Sequence, residues 1–273
     1  MTIAIAENII RQWPNNLRRG LQVQWRKTVN DDKDGLISSP PSCLLLNLND
    51  VSAPITRLAE HLGAVSLFLW TAANLQDDVY DEAGAPKTNI PLANACLHAA
   101  WNLMPRNINR GEIFKVSLET EAANMHELQR PQTIPSGKLA PAGKSSFLLF
   151  APLALVTQLK WRPTDVMKLT LALRHFLSAK QLADDTYDYQ EDWMKGRRTF
   201  AHRGLKNLPT NSELPAYYKR QANQILKLTS TCRQILKTIS VLKDGDCLNK
   251  YLNPLETNCR RSLANLKRPA RRA

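Results

Sequence analysis

Two short runs of aspartate stand out in the chain: Asp77, Asp78 and Asp81, and then Asp184, Asp185, Asp188 and Asp192, about a hundred residues later. Carboxylates three or four residues apart share one face of a helix. Ahead of the first run Leu58, Leu62, Val65, Leu69 and Ala73 step by three or four, and the stripe continued reaches Asp77 and Asp81. Ahead of the second, Leu169, Leu173, Leu177 and Lys180 lead to Asp184, Asp188 and Asp192. Both runs therefore read as extensions of a buried face, with carboxylates turned inward. Inward like charges repel and lose hydration, which a bound polyvalent cation relieves. Oxygen-only ligands suit a hard cation, and Mg²⁺ takes one or two carboxylates together with waters and phosphate oxygens. The remaining partner is then a diphosphate. Taken alone, either run also reads as an ordinary solvated helix end with lysines nearby.

The elements that must position these acids are helices. Only 10 glycines occur, and apolar residues recur at steps of three and four through most of the chain. Helical patterns run over about 3–28, 54–82, 90–104, 110–130, 143–160, 163–195, 213–243 and 246–267, with Pro54, Pro91, Pro135, Pro141 and Pro163 near starts or breaks. Asn30 to Pro41 reads as an exposed loop, and Pro131 to Gly143 as another. No repeat of fixed period argues for a solenoid. The expectation is one all-α domain over residues 1–273, with a basic tail from about residue 260.

A chain of 273 residues with 43% hydrophobic content has enough apolar surface for a large core. Its formal charge is +13, from 37 Lys and Arg against 24 Asp and Glu, which calls for an anionic partner. Much of the excess lies in Arg18, Arg19, Arg26 and Lys27 and in Arg260, Arg261, Lys267, Arg268, Arg271 and Arg272. There is no zinc-finger spacing, RNA-recognition signature or helix-turn-helix pattern, so no nucleic-acid partner is expected. A basic tail touching nucleic acid or an acidic membrane is the alternative that charge alone allows. Cys43, Cys96, Cys232, Cys247 and Cys259 are odd in number and scattered, fitting neither a disulfide framework nor a metal knuckle. A reducing cytoplasm is expected. Ile3 to Ala6 is apolar, but Glu7 interrupts it, so neither a signal peptide nor a membrane span is expected. His61, His98, His126, His175 and His202 have no metal-ligand spacing and read as structural or surface groups.

The segment Leu75-Gln-Asp-Asp-Val-Tyr-Asp-Glu82 resembles the first aspartate-rich motif of the trans-isoprenyl diphosphate synthase and class I terpene synthase superfamily. Gln181-Leu-Ala-Asp-Asp-Thr-Tyr-Asp-Tyr189 resembles the second, and Glu191-Asp-Trp-Met-Lys-Gly-Arg-Arg-Thr199 its acidic and Gly-Lys-x-Thr continuation. Asp184, Asp188 and Asp192 also match the spacing of the second metal motif of the cyclases, which carries Asn or Asp, Ser or Thr, and Glu. Gly143-Lys-Ser-Ser146 is similar to the Lys-Thr segment that contacts diphosphate. The resemblance covers residues 54–205.

That resemblance implies a single-domain helical bundle of the class I terpenoid synthase type, a cytoplasmic homodimer, and Mg²⁺, with three ions when substrate is bound. It assigns Asp77, Asp78, Asp81, Asp184, Asp188 and Asp192 to metal, and catalytic roles to Asp77, Asp78, Asp81, Asp184, Asp185 and Asp188. Diphosphate would meet Lys144, Lys138, Lys180, Arg197 and Arg198. An apolar pocket would be lined from Phe68, Ala72, Ala73, Phe147, Phe150, Phe176 and Gln181, with Trp70 and Tyr187 as further aromatic candidates. The small residues Ala72 and Ala73, just ahead of the first motif where synthases place a bulky floor, imply a pocket deep enough for about C15 to C25 substrates. The chain departs from the synthases in two places. Glu82-Ala-Gly-Ala-Pro-Lys87 stands where they carry Arg-Arg-Gly, and the N-terminal pattern that binds isopentenyl diphosphate is missing around Leu17-Arg-Arg-Gly20. The expectation therefore leans to a cyclase acting on one prenyl diphosphate, ahead of an elongase or a non-catalytic subunit of a heteromeric synthase.

Overall fold

The computed structural model describes residues 1–46, 48, 51–81, 84–106, 110–137, 139–242 and 248–266. Among them the only regular structure is helical, and the chain divides into two compact units. The first comprises 1–116, 147–166 and 241–247; the second comprises 117–146, 167–240 and 248–273. Among the described residues no helix is long and apolar enough to cross a membrane.

The first unit is organised around its longest helix. Helices α1 (Thr2–Arg11) and α2 (Asn15–Asp31) replace the single helix expected over 3–28. Pro14 is the reason: it lacks an N–H, biases Trp13 away from helical geometry, and itself sits at φ −51°, ψ 143° as the cap of α2. The segment after α2 is not the exposed loop its polar composition suggests. Asp32 is buried, and its carboxylate accepts the backbone N–H groups of Ile37 at 2.7 Å and Ser38 at 3.0 Å, which folds the turn inward. A short helix, α3 (Pro40–Leu45), follows.

Helix α4 (Ala53–Asp81) packs against α1, α2, α3, α5 (Asn89–Leu103) and α7 (Phe150–Gln158). Gly63 permits one of these approaches, because a Cβ there would meet the Ser38 carbonyl oxygen at 2.4 Å. Thr71 of α4 and Thr28 of α2 share a buried hydroxyl hydrogen bond of 2.9 Å. Phe68 is fully buried between Trp13 and Trp25, with ring centroids 6.0 and 5.8 Å away. Burial of such a ring contributes about 2–3 kcal/mol.

The second unit holds α6 (Arg110–Gln129) beyond its first turns, α8 (Pro163–Tyr187) beyond its first turn, α9 (Tyr189–Met194), α10 (Leu214–Leu236) and α11 (Asn249–Leu266). The expected helix over 163–195 is broken at Asp188, which caps α9 at φ −95°, ψ 7°. One core joins Ala179 and Leu182 of α8 to Ala222 and Ile225 of α10 and Cys259 of α11. A second joins Tyr189, Ala201 and Tyr217, with Leu205, Leu208 and Leu214 against it. Arg260 and Arg261, expected in a tail, lie within α11, whereas Lys267, Arg268, Arg271 and Arg272 fall outside the described residues. Cys43, Cys96, Cys232 and Cys259 are all buried, and burial pushes the Cys96 thiol up to about 12.

Candidate active site

The side of α8 that faces the interior changes along its length. Near its start Leu169, Ala172, Leu173 and Phe176 are buried; near its end the buried pair is Leu182 and Asp185. At 100° per residue these sets lie on opposite sides of the helix. Leu182 belongs to the core shared with α10 and α11, and Asp185 stands one turn beyond it on the same side. A stripe extrapolated from Leu169, Leu173 and Leu177 therefore misplaces Asp184 and Asp188 inside and misses Asp185, while Asp192, also on it, is buried in α9. Asp184 and Asp188 are exposed, while Asp185 and Asp192 are buried.

Asp185 is held by two donors. Gln181 Nε2 donates to Oδ1 at 2.8 Å and the Phe200 backbone N–H to Oδ2 at 3.1 Å. Burial nevertheless outweighs these bonds and raises the carboxyl to about 7. Gln181 in turn accepts from the Ser145 hydroxyl at 3.5 Å, so the residue beside Lys144 is tied to α8. Burial also raises Asp192, opposed by the Arg197 guanidinium, whose Nη2 lies 2.9 Å from Oδ1.

The turn after α9 places the arginine pair. Gly196, at φ +76°, takes a left-handed conformation that costs other residues more. Arg197 N–H then donates to the Asp192 carbonyl at 2.8 Å and Arg198 N–H to the Pro131 carbonyl at 2.7 Å. The Arg198 guanidinium lies 3.4 Å from the Trp193 ring centre. His202 fastens the turn: its Nε2–H donates to the Tyr189 carbonyl at 2.6 Å, and its Nδ1 accepts the Thr199 N–H at 3.0 Å. That pairing requires the neutral ring, and burial holds its pKa below the ordinary histidine value. Gln221 of α10 completes the support, donating to the Ala201 carbonyl at 2.8 Å.

Each described cation proposed for diphosphate has an internal partner. Lys144 pairs with Glu127 at 2.7 Å, Lys180 with Asp184 at 2.9 Å, and Arg197 with Asp192. A phosphate ligand would have to exchange for these partners. Lys138 lies outside the described residues.

In the first unit Asp77 is exposed and Asp78 half-buried, and the side chain of Asp81 lies outside the described set. The apolar stripe of α4 loses its burial before the acids: Leu62 and Val65 are buried, Leu69 and Ala73 half-buried. Ala72 is buried beside them. Phe68 is occupied by the two tryptophans described above. Phe147 lies 6.2 Å from Trp70, Phe150 is buried, and Phe176 in the second unit packs 6.1 Å from Tyr251. Tyr187, read as an aromatic wall, is instead 89% exposed. It precedes the break at Asp188, where the helix no longer presents that side to a neighbour.

Among the described residues no three His, Cys, Asp or Glu side chains converge as a metal cage. Carboxylate oxygens are the donor type that Mg²⁺ takes one or two at a time beside water and phosphate oxygens. Asp77, Asp78, Asp184 and Asp188 are exposed or half-buried, Asp184 paired with Lys180, whereas Asp185 and Asp192 are buried and bonded inside the second unit. Sequence reasoning missed Glu127, Gln221 and the His202 anchor. The Thr199-x-x-His202 spacing, typical of a side chain reaching back to a helix cap, was the legible signal for the last. Comparison with protein-family models, curated proteins and solved structures finds no match for the chain.

Proposed function

We propose that the chain is a class I terpene synthase of the helical terpenoid synthase type, ionising one allylic prenyl diphosphate of about C15 to C25. The supporting observation is the division of labour in the second motif. Asp184 and Asp188 are exposed, Asp184 beside Lys180, while Asp185 holds Gln181 and the Phe200 N–H and Asp192 holds Arg197 from within.

Asp77, Asp78 and Asp81 in the first unit, and Asp184 and Asp188 in the second, are the carboxylates that would each hold Mg²⁺, which would neutralise charge developing on the diphosphate leaving group. Lys144, Arg197 and Arg198 would exchange their present partners for phosphate oxygens and orient that group. Asp192 keeps the Arg197 turn in place, and Asp185 keeps Phe200 and Gln181 in place. The allylic C–O bond breaks with its electron pair leaving on pyrophosphate. The resulting carbocation then loses a proton or captures water, giving a hydrocarbon or an alcohol. Ala72, Ala73, Phe147, Phe150 and Phe176 are the candidates for enclosing the chain away from water. The enzyme is expected to act as a cytoplasmic homodimer, testable by light scattering.

The experiment is pyrophosphate release with product analysis, using geranyl, farnesyl, geranylgeranyl and geranylfarnesyl diphosphate with Mg²⁺, with and without isopentenyl diphosphate. A hydrocarbon or alcohol from one substrate alone is the expected result. A longer diphosphate formed only with isopentenyl diphosphate makes the chain an elongase, and no turnover on any substrate removes the enzymatic reading.

A further inference from the structure

Outside the two aspartate motifs, α10 carries Lys219, Arg220, Lys227 and Arg233 and no acid. Arg233 is committed to Glu256 at 2.9 Å. The other three, with Asn223 and Gln224, line an open groove of about 470 Å³ on the outer side of the helix. Lys219, Asn223, Gln224 and Lys227 are exposed, whereas Arg220 is half-buried. The Nη2 atom of Arg220 is buried and makes no hydrogen bond, although its guanidinium is steadied 5.7 Å from the Tyr217 ring centre. That atom has no accessible surface and lies out of reach of a ligand in the groove, so what the groove offers an anion is the positive charge of Lys219, Lys227 and the rest of the Arg220 guanidinium, with no acid in α10 to answer it.

We propose that this groove binds a phosphate-bearing anion. A neutral ligand would leave the positive charge of these three side chains unanswered. Lys219 and Lys227 are eight residues apart, about 12 Å along the axis, with Arg220 between them. A single carboxylate has too few oxygens to reach all three cations, while a phosphate or diphosphate offers several charged acceptors on one centre. The site is independent of the prenyl diphosphate reading, since none of its residues belongs to either aspartate motif.

The test is calorimetric titration of inorganic pyrophosphate and orthophosphate into the full chain, with EDTA present so that no divalent cation bridges the ligand to the aspartates. Lys219→Ala/Lys227→Ala and, separately, Arg220→Gln should each weaken binding about tenfold or more. The lysines are exposed, so circular dichroism should show the double variant folded; if it is not, the Lys219→Gln/Lys227→Gln variant takes its place. Vesicles of phosphatidylglycerol against phosphatidylcholine separate the two sources: cosedimentation dependent on the same residues makes the anion a lipid headgroup. The proposal is overturned by binding to neither, by affinities that the groove variants leave unchanged, or by equal weakening in Arg260→Ala/Arg261→Ala, which would mean a diffuse basic field.

Discussion

The two aspartate runs use the same pair of neighbouring carboxylates differently. In α4 Asp77 is exposed and Asp78 only half-buried. In α8 Asp184 is exposed, but Asp185 is buried and bonded to Gln181 and to the Phe200 N–H. The difference lies in what the chain does next to each run. Beside the second, α9, the Gly196 turn and α10 fold back onto the helix and give the inward carboxylate a structural task. A doubled aspartate thus leaves one residue exposed and gives the other to architecture when a neighbouring segment covers one side of it.

The widest separation between these roles should appear in catalysis. Replacing the outward pair, Asp184→Ala/Asp188→Ala, should lower Mg²⁺-dependent pyrophosphate release about 10²–10³-fold while shifting the urea midpoint little. Asp77→Ala/Asp78→Ala should do the same. Turnover retained in either double variant would remove that run from the site.

Next in size is the loss of the inward carboxylate. Asp185→Ala leaves the Phe200 N–H and Gln181 amide without their acceptor and should cost about 2 kcal/mol in urea unfolding, less whatever is regained by removing a buried acid. Asp185→Asn keeps an oxygen for Phe200 and, after a flip of Gln181, a bond to that side chain, and should recover most of the loss. An alanine variant as stable as the parent would end the distinction between the two aspartates.

Much of this was legible before any coordinates. The helices around both runs, and their breaks at Pro54, Pro141 and Pro163, follow from periodicity and punctuation. The inward residue at the second run was not legible, because a hydrophobic stripe predicts burial only while a helix keeps the same neighbours. Helix α8 is buried on every side from Phe176 to Ala179, and beyond that turn the side bearing Leu182 and Asp185 is the covered one. Asp32 escaped for a related reason: a run of Asp, Gly and Ser reads as solvated loop, yet one carboxylate accepting two backbone N–H groups buries it. His202 reads from its spacing to the other histidines only as a structural or surface group; the Thr199-x-x-His202 spacing carries its reach back to Thr199, and the Tyr189 carbonyl it also bonds leaves no pattern in the sequence.

That histidine supplies a pH-dependent test of the same covering segment. Neutral His202 both donates to Tyr189 and accepts from Thr199; a proton on Nδ1 would abolish the second bond. The folded pKa lies below the unfolded value near 6.5, so the unfolded state binds more protons as pH falls below that value. The stability this group contributes is present above about pH 6.5 and is lost as pH falls through the folded pKa. Between pH 7 and 5 this contribution lowers the urea midpoint, against the rise that the raised Asp185 carboxyl gives in the same window, so the test is the difference between the parent and His202→Gln, which cannot titrate: the parent's advantage should shrink as pH falls. An identical pH profile in the glutamine variant would place the titration elsewhere.

The smallest effect expected is at Lys180, and its smallness is informative. Its ammonium bonds Asp184 at 2.9 Å, but the pair is partly exposed and runs from a basic residue to an acidic one four places later, the less favourable orientation on a helix. Exposed pairs of this kind contribute about 0.3 kcal/mol, so Lys180→Ala should be nearly silent in unfolding. If Lys180 also yields to diphosphate, the same variant should raise KM for the prenyl diphosphate several-fold more than it changes stability. A loss in both measurements by the same proportion would instead make Lys180 a structural partner of Asp184, and the outward side of the second run would then be less committed to ligand than its inward side is to the fold.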